Sequence, residues 1–327
     1  MNSPRPLVVL TDPIHPKAHA LLLQHCEVIV ASEAAPRTLH QLMREADGLV
    51  VRSKLPPGIF DEAPRLRAVV RHGVGLDSIP VEIATAQGIP VANLPGSNTT
   101  AVVEYCVAAL MHLTHRLARI DQVLRAQGWD AARPIANRIG EVAGSVCGII
   151  GVGAIGSRLA QVVEGLGMQV IGLTRRPEHL PPQIRAVTRE QLFEQADAVM
   201  VCCPLNDQTR GLVDAQALSL MKKTAVLVNV SRGPVVQTDA LLAALREGRL
   251  AGAALDVHDV QPIPEGDPVF DCPNLMLTPH LAGITNTSLR AMSMGSAQTM
   301  LALLQGERPA NVVNPQADCF DPSDRSG

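Results

Sequence analysis

A chain of 327 residues, 46% hydrophobic and with a formal net charge of −3, has ample apolar material for packed domains, and its length favours two of them. A pI near 6.4 and the absence of any apolar run of bilayer length argue against nucleic-acid and membrane partners, and 2% aromatic content leaves little for stacking surfaces. Seven scattered cysteines, of which only Cys202 and Cys203 are close, read as reduced core thiols with no metal site, and Met1 to Leu10 lacks a signal-peptide pattern, so a cytoplasmic protein is expected.

Short β-branched runs alternate with amphipathic stretches, the pattern of parallel sheets covered by helices, so the fold class is α/β. In the first hundred residues strands are predicted at Leu7 to Leu10, Glu27 to Val30, Gly48 to Val51, Arg67 to Val70 and Pro90 to Val91. Together they make a small open-sheet domain. A long apolar helix from Thr100 to about Leu117 then leads into a polar stretch containing Trp129. A second series follows, with strands at Val146 to Ile150, Gln169 to Leu173, Ala198 to Cys202, Ala225 to Asn229, Gly252 to Leu255 and Leu275 to Leu277. Six such strands complete a dinucleotide-binding sheet. A last helix is predicted over Thr287 to about Leu304, and the Asp-, Pro- and Ser-rich tail after Gln316 has little to bury and reads as loose.

The run Gly151-Val152-Gly153-Ala154-Ile155-Gly156 sits between a predicted strand and a predicted helix. In that context G-x-G-x-x-G has a mechanism: a tight turn, close approach of backbone to a pyrophosphate, and close helix packing. An NAD site normally carries Asp or Glu at the end of the next strand for the ribose 2'-hydroxyl. Here that strand ends Leu173-Thr174-Arg175-Arg176, with no carboxylate before Glu178. Two guanidinium groups suit a 2'-phosphate, which favours NADP(H) over NAD(H); the alternative is a pair of solvated arginines in a protein that tolerates NAD. Arg232, just beyond the strand Ala225 to Asn229, lies where an α/β sheet faces its ligand and can clamp a 2-oxo acid; the alternative, which an isolated S-R-G would favour, is a solvated loop arginine. His280, likewise beyond a strand, is a candidate proton carrier.

With these pieces in order the chain resembles the D-isomer-specific 2-hydroxyacid dehydrogenases. The likeness rests on Arg71-His72-Gly73-Val74-Gly75-Leu76-Asp77, Leu94-Pro95-Gly96-Ser97-Asn98 with Glu104, the glycine loop, and Cys203-Pro204-Leu205 to Thr209-Arg210-Gly211. It continues through Asn229-Val230-Ser231-Arg232-Gly233, Ala254-Leu255-Asp256-Val257, Thr278-Pro279-His280-Leu281-Ala282-Gly283 and Asn311-Val312-Val313-Asn314-Pro315. The resemblance implies a flavodoxin-like open-sheet substrate domain, residues 1–98 plus 287–327, into which a Rossmann-type NAD(P)-binding domain, residues 99–286, is inserted.

It also implies reduction of a small 2-oxo acid, of the glyoxylate or hydroxypyruvate type, to a D-2-hydroxy acid. Ser53 and the backbone N–H groups of Val74 and Gly75 would bind substrate, Arg232 would bridge its carboxylate and carbonyl, and His280 would be the acid/base. Cofactor contacts would come from Gly151, Gly153, Ala154, Ile155, Gly156, Thr174, Arg175, Arg176, Cys203, Pro204, Thr209, Val230, Ser231, Asp256 and His280, with Asp256 on the nicotinamide carboxamide. The helix after Asn98 and the stretch around Trp129 resemble the family's dimerisation region, which implies a homodimer; the alternative for Trp129 is a lone packing residue. Lys54 is open between binding an acidic substituent and being solvated.

One position departs from the pattern. The family's Glu, five residues after the Asp of A-L-D-V, hydrogen-bonds the catalytic histidine, and here it is Gln261. Gln261 can orient the ring but supplies no charge to favour imidazolium, so reduction is expected to have an acid-shifted optimum. Asp259 or Glu265 taking over is the competing explanation. Two rival functions stay open: a nicotinamide-sensing interaction protein on the same fold, and a formate dehydrogenase-like activity, to which a Gln beside the histidine also points.

Overall fold

A computed structural model describes residues 5–317. The expectation for the tail falls largely on residues 318–327, outside the described residues. In chain order the elements are β1 (Leu7–Leu10), α1 (Pro16–His25), β2 (Glu27–Val30), α2 (Leu39–Met43), β3 (Gly48–Val51), β4 (Ala68–Arg71), α3 (Val81–Ala86), β5 (Val91–Ala92), α4 (Thr99–His115), α5 (Leu117–Gln127) and α6 (Trp129–Ala132). They continue with β6 (Val146–Ile150), α7 (Ala154–Gly165), β7 (Gln169–Leu173), β8 (Arg185–Ala186), α8 (Arg189–Gln195), β9 (Ala198–Val201), α9 (Ala215–Leu220), β10 (Val226–Asn229), α10 (Thr238–Arg246), β11 (Gly252–Leu255), β12 (Leu275–Leu277) and α11 (Asn286–Leu304). The chain divides into two compact units, one of residues up to Asn98 together with those from Ile284 onward, the other Thr99–Gly283.

The first unit is a parallel five-stranded sheet in the order β2-β1-β3-β4-β5, the flavodoxin-like arrangement. Alternation along its strands divides the core in two. Val9, Leu49, Val51 and Val69 face α2 and α3, whereas Val8, Leu10, Val50 and Val70 face α1 and α11. The last helix therefore closes the first sheet. α11 packs closely over Gly48, where a Cβ would stand 2.5 Å from the Met300 sulfur and the Met300 side chain would have to shift.

The second unit is a parallel sheet of seven strands in the order β12-β11-β10-β9-β6-β7-β8, the Rossmann order with one strand added at the β12 edge. Cys147, Ile149, Met200 and Val228 pack under α4 and α7, and Ile150, Val199, Val201 and Leu227 under α8, α9 and α10. The short strand β8 was not anticipated from the sequence; both its residues are exposed, so it lacks a hydrophobic signature. The first apolar helix also differs from expectation. It ends at His115, Arg116 takes a left-handed conformation (φ 52), and the polar stretch beyond it forms α5 and α6. Leu117–Gln127 holds neither Gly nor Pro, so helix is available to it although it buries only Val123. Trp129 is 67% exposed in the chain, which overturns its reading as a lone packing residue.

Candidate active site

The glycine loop, Arg175, Arg176, Cys203, Arg232, Asp256 and His280 all follow carboxyl ends of strands of the second unit, and those ends are level. Leu173 pairs with Ile150, Ile150 with Val201, Val201 with Asn229, Asn229 with Leu255 and Leu255 with Leu277. At about 4.8 Å between strands, six ends in one row span roughly 24 Å. Arg175 and Arg176 leave from one side of the row, the glycine loop and Cys203 from the middle, and Arg232, Asp256 and His280 from the other side. This is the edge at which open α/β sheets bind ligands.

The three glycines of the loop have separate physical reasons. Gly151 has φ 92, and a Cβ on it would lie 2.5–2.6 Å from the Cys203 backbone. At Gly156 a Cβ would lie 2.3 Å from the Gly151 carbonyl oxygen, so the start of α7 can pack on the loop only without a side chain. Gly153 is different: a Cβ there meets nothing within 4 Å, and as N-cap of α7 it offers no side-chain hydrogen bond to the first turn. The amides at Ala154, Ile155 and Gly156 are thus left for an anion, with open space over Gly153, and the residues present fit a dinucleotide pyrophosphate.

Beyond β7, Thr174 Oγ1 accepts a hydrogen bond from the Arg176 amide (3.3 Å), while Arg175 and Arg176 are exposed and form no ion pair among the described residues. That arrangement fits a phosphate on the adenosine ribose. After β9 the Thr209 hydroxyl donates to the Pro204 carbonyl (2.7 Å) and accepts from the Asn206 amide (2.8 Å), which staples the Cys203–Thr209 loop.

Arg232 is held by residues around it. Asn229, fully buried, donates through Nδ2 to the Arg232 carbonyl (3.0 Å) and accepts at Oδ1 from the Ser231 amide and hydroxyl. Arg232 Nη1 donates to the Ser231 carbonyl (2.6 Å). Gly233 lets the segment His258–Asp259 pass against this turn, since a Cβ would come within 2.4 Å of its backbone.

His280 is exposed and sits in the left-handed region (φ 55). Its Nδ1 lies 2.9 Å from Gln261 Oε1, and Gln261 Nε2 donates to the His258 carbonyl (3.3 Å). The carbonyl can only accept, so the amide nitrogen must face it and the amide oxygen must face the ring; His280 Nδ1 therefore carries the proton. With Nδ1 so occupied, proton exchange by the ring would run through Nε2. Asp259, one of the two carboxylates considered as a substitute for the missing Glu, accepts instead from the Thr238 hydroxyl (2.7 Å). Asp256 is 1% exposed, and its carboxylate takes three donors from its own unit: the Thr278 hydroxyl (2.7 Å) and the Leu281 amide on Oδ1, and the Ala282 amide (2.8 Å) on Oδ2.

In the first unit the turn at Gly73-Val74-Gly75 has all three carbonyls tied down. Leu94 N donates to Gly73 O (2.8 Å), Asn93 Nδ2 to Val74 O (2.7 Å) and Arg71 Nε to Gly75 O (3.0 Å). Arg71 Nη1 also donates to Val51 O and Arg52 O, fixing the turn to the end of β3, where Ser53 and Lys54 are exposed. The Val74 and Gly75 amides have no hydrogen-bond partner among the described residues. His72 Nε2 lies 2.8 Å from Ser293 Oγ, and burial first, with the Arg52 charge, pushes its pKa down to about 4.

Asn229, Arg71, Asn93 and His72 were not singled out from the sequence as functional. Three of them fall inside the motifs quoted above, but only the tertiary bonds reveal what they hold. Among the described residues no group of three or more His, Cys, Asp or Glu could hold a metal, and no helix is long and apolar enough to cross a membrane.

Comparison with known proteins agrees with this geometry. Residues 107–282 match the family model for the NAD-binding domain of D-isomer specific 2-hydroxyacid dehydrogenases. The glyoxylate reductase of Aeropyrum pernix is 37% identical over 322 residues, covering 95% of this chain and 96% of the relative. That of Thermococcus kodakarensis is 36% identical over 327 residues, covering 95% and 97%. Among solved structures, an NADPH-dependent glyoxylate/hydroxypyruvate reductase of Sinorhizobium meliloti, in complex with NADP and malonate, superposes with a TM-score of 0.83 at 30% identity, covering 96% of this chain and 98% of that one. A further protein, from Thermus thermophilus, gives a TM-score of 0.86 at 32% identity, covering 94% and 99%. With its α/β architecture, its Rossmann unit and relatives that match nearly end to end, this chain belongs to the D-isomer-specific 2-hydroxyacid dehydrogenases and is an oxidoreductase with an NAD(P)-binding domain.

Proposed function

We propose that this enzyme reduces a small 2-oxo acid of the glyoxylate or hydroxypyruvate type to its D-2-hydroxy acid, with NADP(H) preferred over NAD(H). One observation carries the reading: an uncapped, glycine-opened helix, Arg232 and a histidine with Nδ1 fixed by Gln261 all leave from one level row of strand ends. The relatives named glyoxylate reductase and the NADPH-dependent Sinorhizobium enzyme support the substrate class and the cofactor.

In this mechanism the amides at Ala154 to Gly156 hold the pyrophosphate and Arg175 and Arg176 the 2'-phosphate, with Thr174, Cys203, Pro204, Thr209, Val230 and Ser231 shaping the rest of the cofactor surface. Bound NADPH supplies the hydride. Ser53 and the Val74 and Gly75 amides take the substrate carboxylate, while the Arg232 guanidinium pairs with carboxylate and carbonyl and stabilises the charge that develops on oxygen. Protonated His280 delivers its Nε2 proton to that oxygen, and Gln261 keeps the ring in register. Residues up to Asn98 with those from Ile284 form the substrate domain, and Thr99–Gly283 the cofactor domain. A homodimer is part of the reading, supported by the exposed Leu117, Leu124 and Trp129 on α5 and α6. So is a cytoplasmic home, supported by the free thiols of the six described cysteines.

Steady-state turnover of a panel of 2-oxo acids with NADPH and NADH tests the proposal. It predicts turnover of glyoxylate or hydroxypyruvate with the lower KM for NADPH. Cofactor binding without turnover of any 2-oxo acid contradicts it.

A further inference from the structure

His280 is held in a left-handed backbone conformation (φ 55) that a residue with a Cβ rarely adopts, and such conformations persist where neighbouring bonds over-determine them. The bonds that do so converge on one buried residue. The Asp256 carbonyl accepts from the His280 amide (2.8 Å), and its carboxylate accepts from the amides of Leu281 and Ala282 (2.8 Å each). On its other side the carboxylate takes the Thr278 hydroxyl proton (2.7 Å), and the Thr278 oxygen lies 2.7 Å from the Tyr105 hydroxyl. Since Thr278 has spent its proton on Asp256, Tyr105 must be the donor to Thr278.

We propose that Tyr105, on α4, and Thr278, at the end of β12, are positioning residues for His280, acting through the carboxylate of Asp256. The proposal rests on His280 being the acid/base. Burial pushes the Tyr105 phenol up to about 12, so it stays a donor throughout the working pH range. A carboxylate offers about four acceptor positions. Three of them are spent on the loop that carries His280 and its approach, so Asp256 is first the anchor of that turn, with one position left for a cofactor carboxamide.

Thr278→Val, Thr278→Ser and Tyr105→Phe test this with three readouts: kcat for 2-oxo acid reduction, the Kd of NADPH by fluorescence titration, and the His280 tautomer by 15N NMR, its signal assigned by its loss in His280→Asn. A displaced general acid of order 1 Å can cost as much as about 100-fold. Thr278→Val is expected to lower kcat about tenfold with little change in NADPH Kd, and to replace the single Nδ1–H tautomer by a mixture; Thr278→Ser restores both, and Tyr105→Phe falls between. Unchanged kcat and tautomer in folded Thr278→Val overturn the proposal, as does a raised NADPH Kd with unchanged kcat, which would make the line a cofactor-binding device. Should Thr278→Val fail to fold, Tyr105→Phe, which keeps the ring, decides by the same criteria. If the wild type turns over no 2-oxo acid, the functional reading fails, and the tautomer still decides the positioning.

Discussion

Replacing Gln261 by Glu puts a full negative charge where an amide oxygen now stands 2.9 Å from His280 Nδ1. Opposite charges about 4 Å apart attract by about 1 kcal/mol in water and about 4 kcal/mol at an effective dielectric near 20. Both side chains are exposed, so the lower part of that range applies, equivalent to about one pH unit. The sign follows from which form works: reduction needs imidazolium, so kcat/KM falls as pH rises through the His280 pKa. A carboxylate favours imidazolium, raises that pKa and moves the descending limb alkaline by about one unit. Oxidation needs neutral imidazole, and its ascending limb should move the same way. The assay is kcat/KM with NADPH against pH for wild type and variant, ionic strength held constant because exposed charges are screened. An unmoved limb would refute the argument that a carboxylate at position 261 favours the imidazolium form of His280.

Arg175→Ala and Arg176→Ala should each raise the KM for NADPH by about tenfold or more, the value of a charge-assisted bond to phosphate, and leave NADH nearly unaffected; equal effects on both cofactors would remove the assignment of the 2'-phosphate. Gly153→Ala should fold with an unchanged Tm and bind cofactor weakly, whereas Gly156→Ala, whose Cβ would meet the Gly151 carbonyl oxygen at 2.3 Å, should lose about 1–3 kcal/mol of stability. Thermal melts and cofactor titrations of the pair check this, and a stable Gly156→Ala would contradict the packing account. His72 is held neutral, with a pKa near 4 against an ordinary 6.5. The unfolded chain therefore binds the extra proton first as pH falls, and this contribution to stability, complete above about 6.5, is lost progressively toward about 4. Urea midpoints across that window should fall less steeply for His72→Gln than for wild type.

Residues that act through a local pattern were legible in the sequence. Strand, glycine spacing and helix identified Gly151 to Gly156, and the missing carboxylate after Leu173 drew attention to Arg175 and Arg176, because each signal lies within a few residues. Gln261 was legible as a departure at a fixed distance from Asp256. Residues that act through space were not. Asn93 reaches the Val74 carbonyl from the far side of α3, and Ser293 meets His72 from the last helix. Tyr105 finds Thr278 across 173 positions. The stretch after His115 reads as polar by composition, although Leu117, Ile120, Val123 and Leu124 recur at helical spacing; of these only Val123 is buried in the chain. The level row of strand ends is a property of register, which follows from pairing the strands.

The most direct test of the account is the rate of NADPH oxidation with hydroxypyruvate or glyoxylate by wild type and His280→Asn, with the configuration of the hydroxypyruvate product determined. The account predicts turnover by the wild type to the D-2-hydroxy acid and a loss of at least about 100-fold in kcat for His280→Asn, with NADPH still bound. Turnover by His280→Asn at the wild-type rate, or an L product, would contradict it.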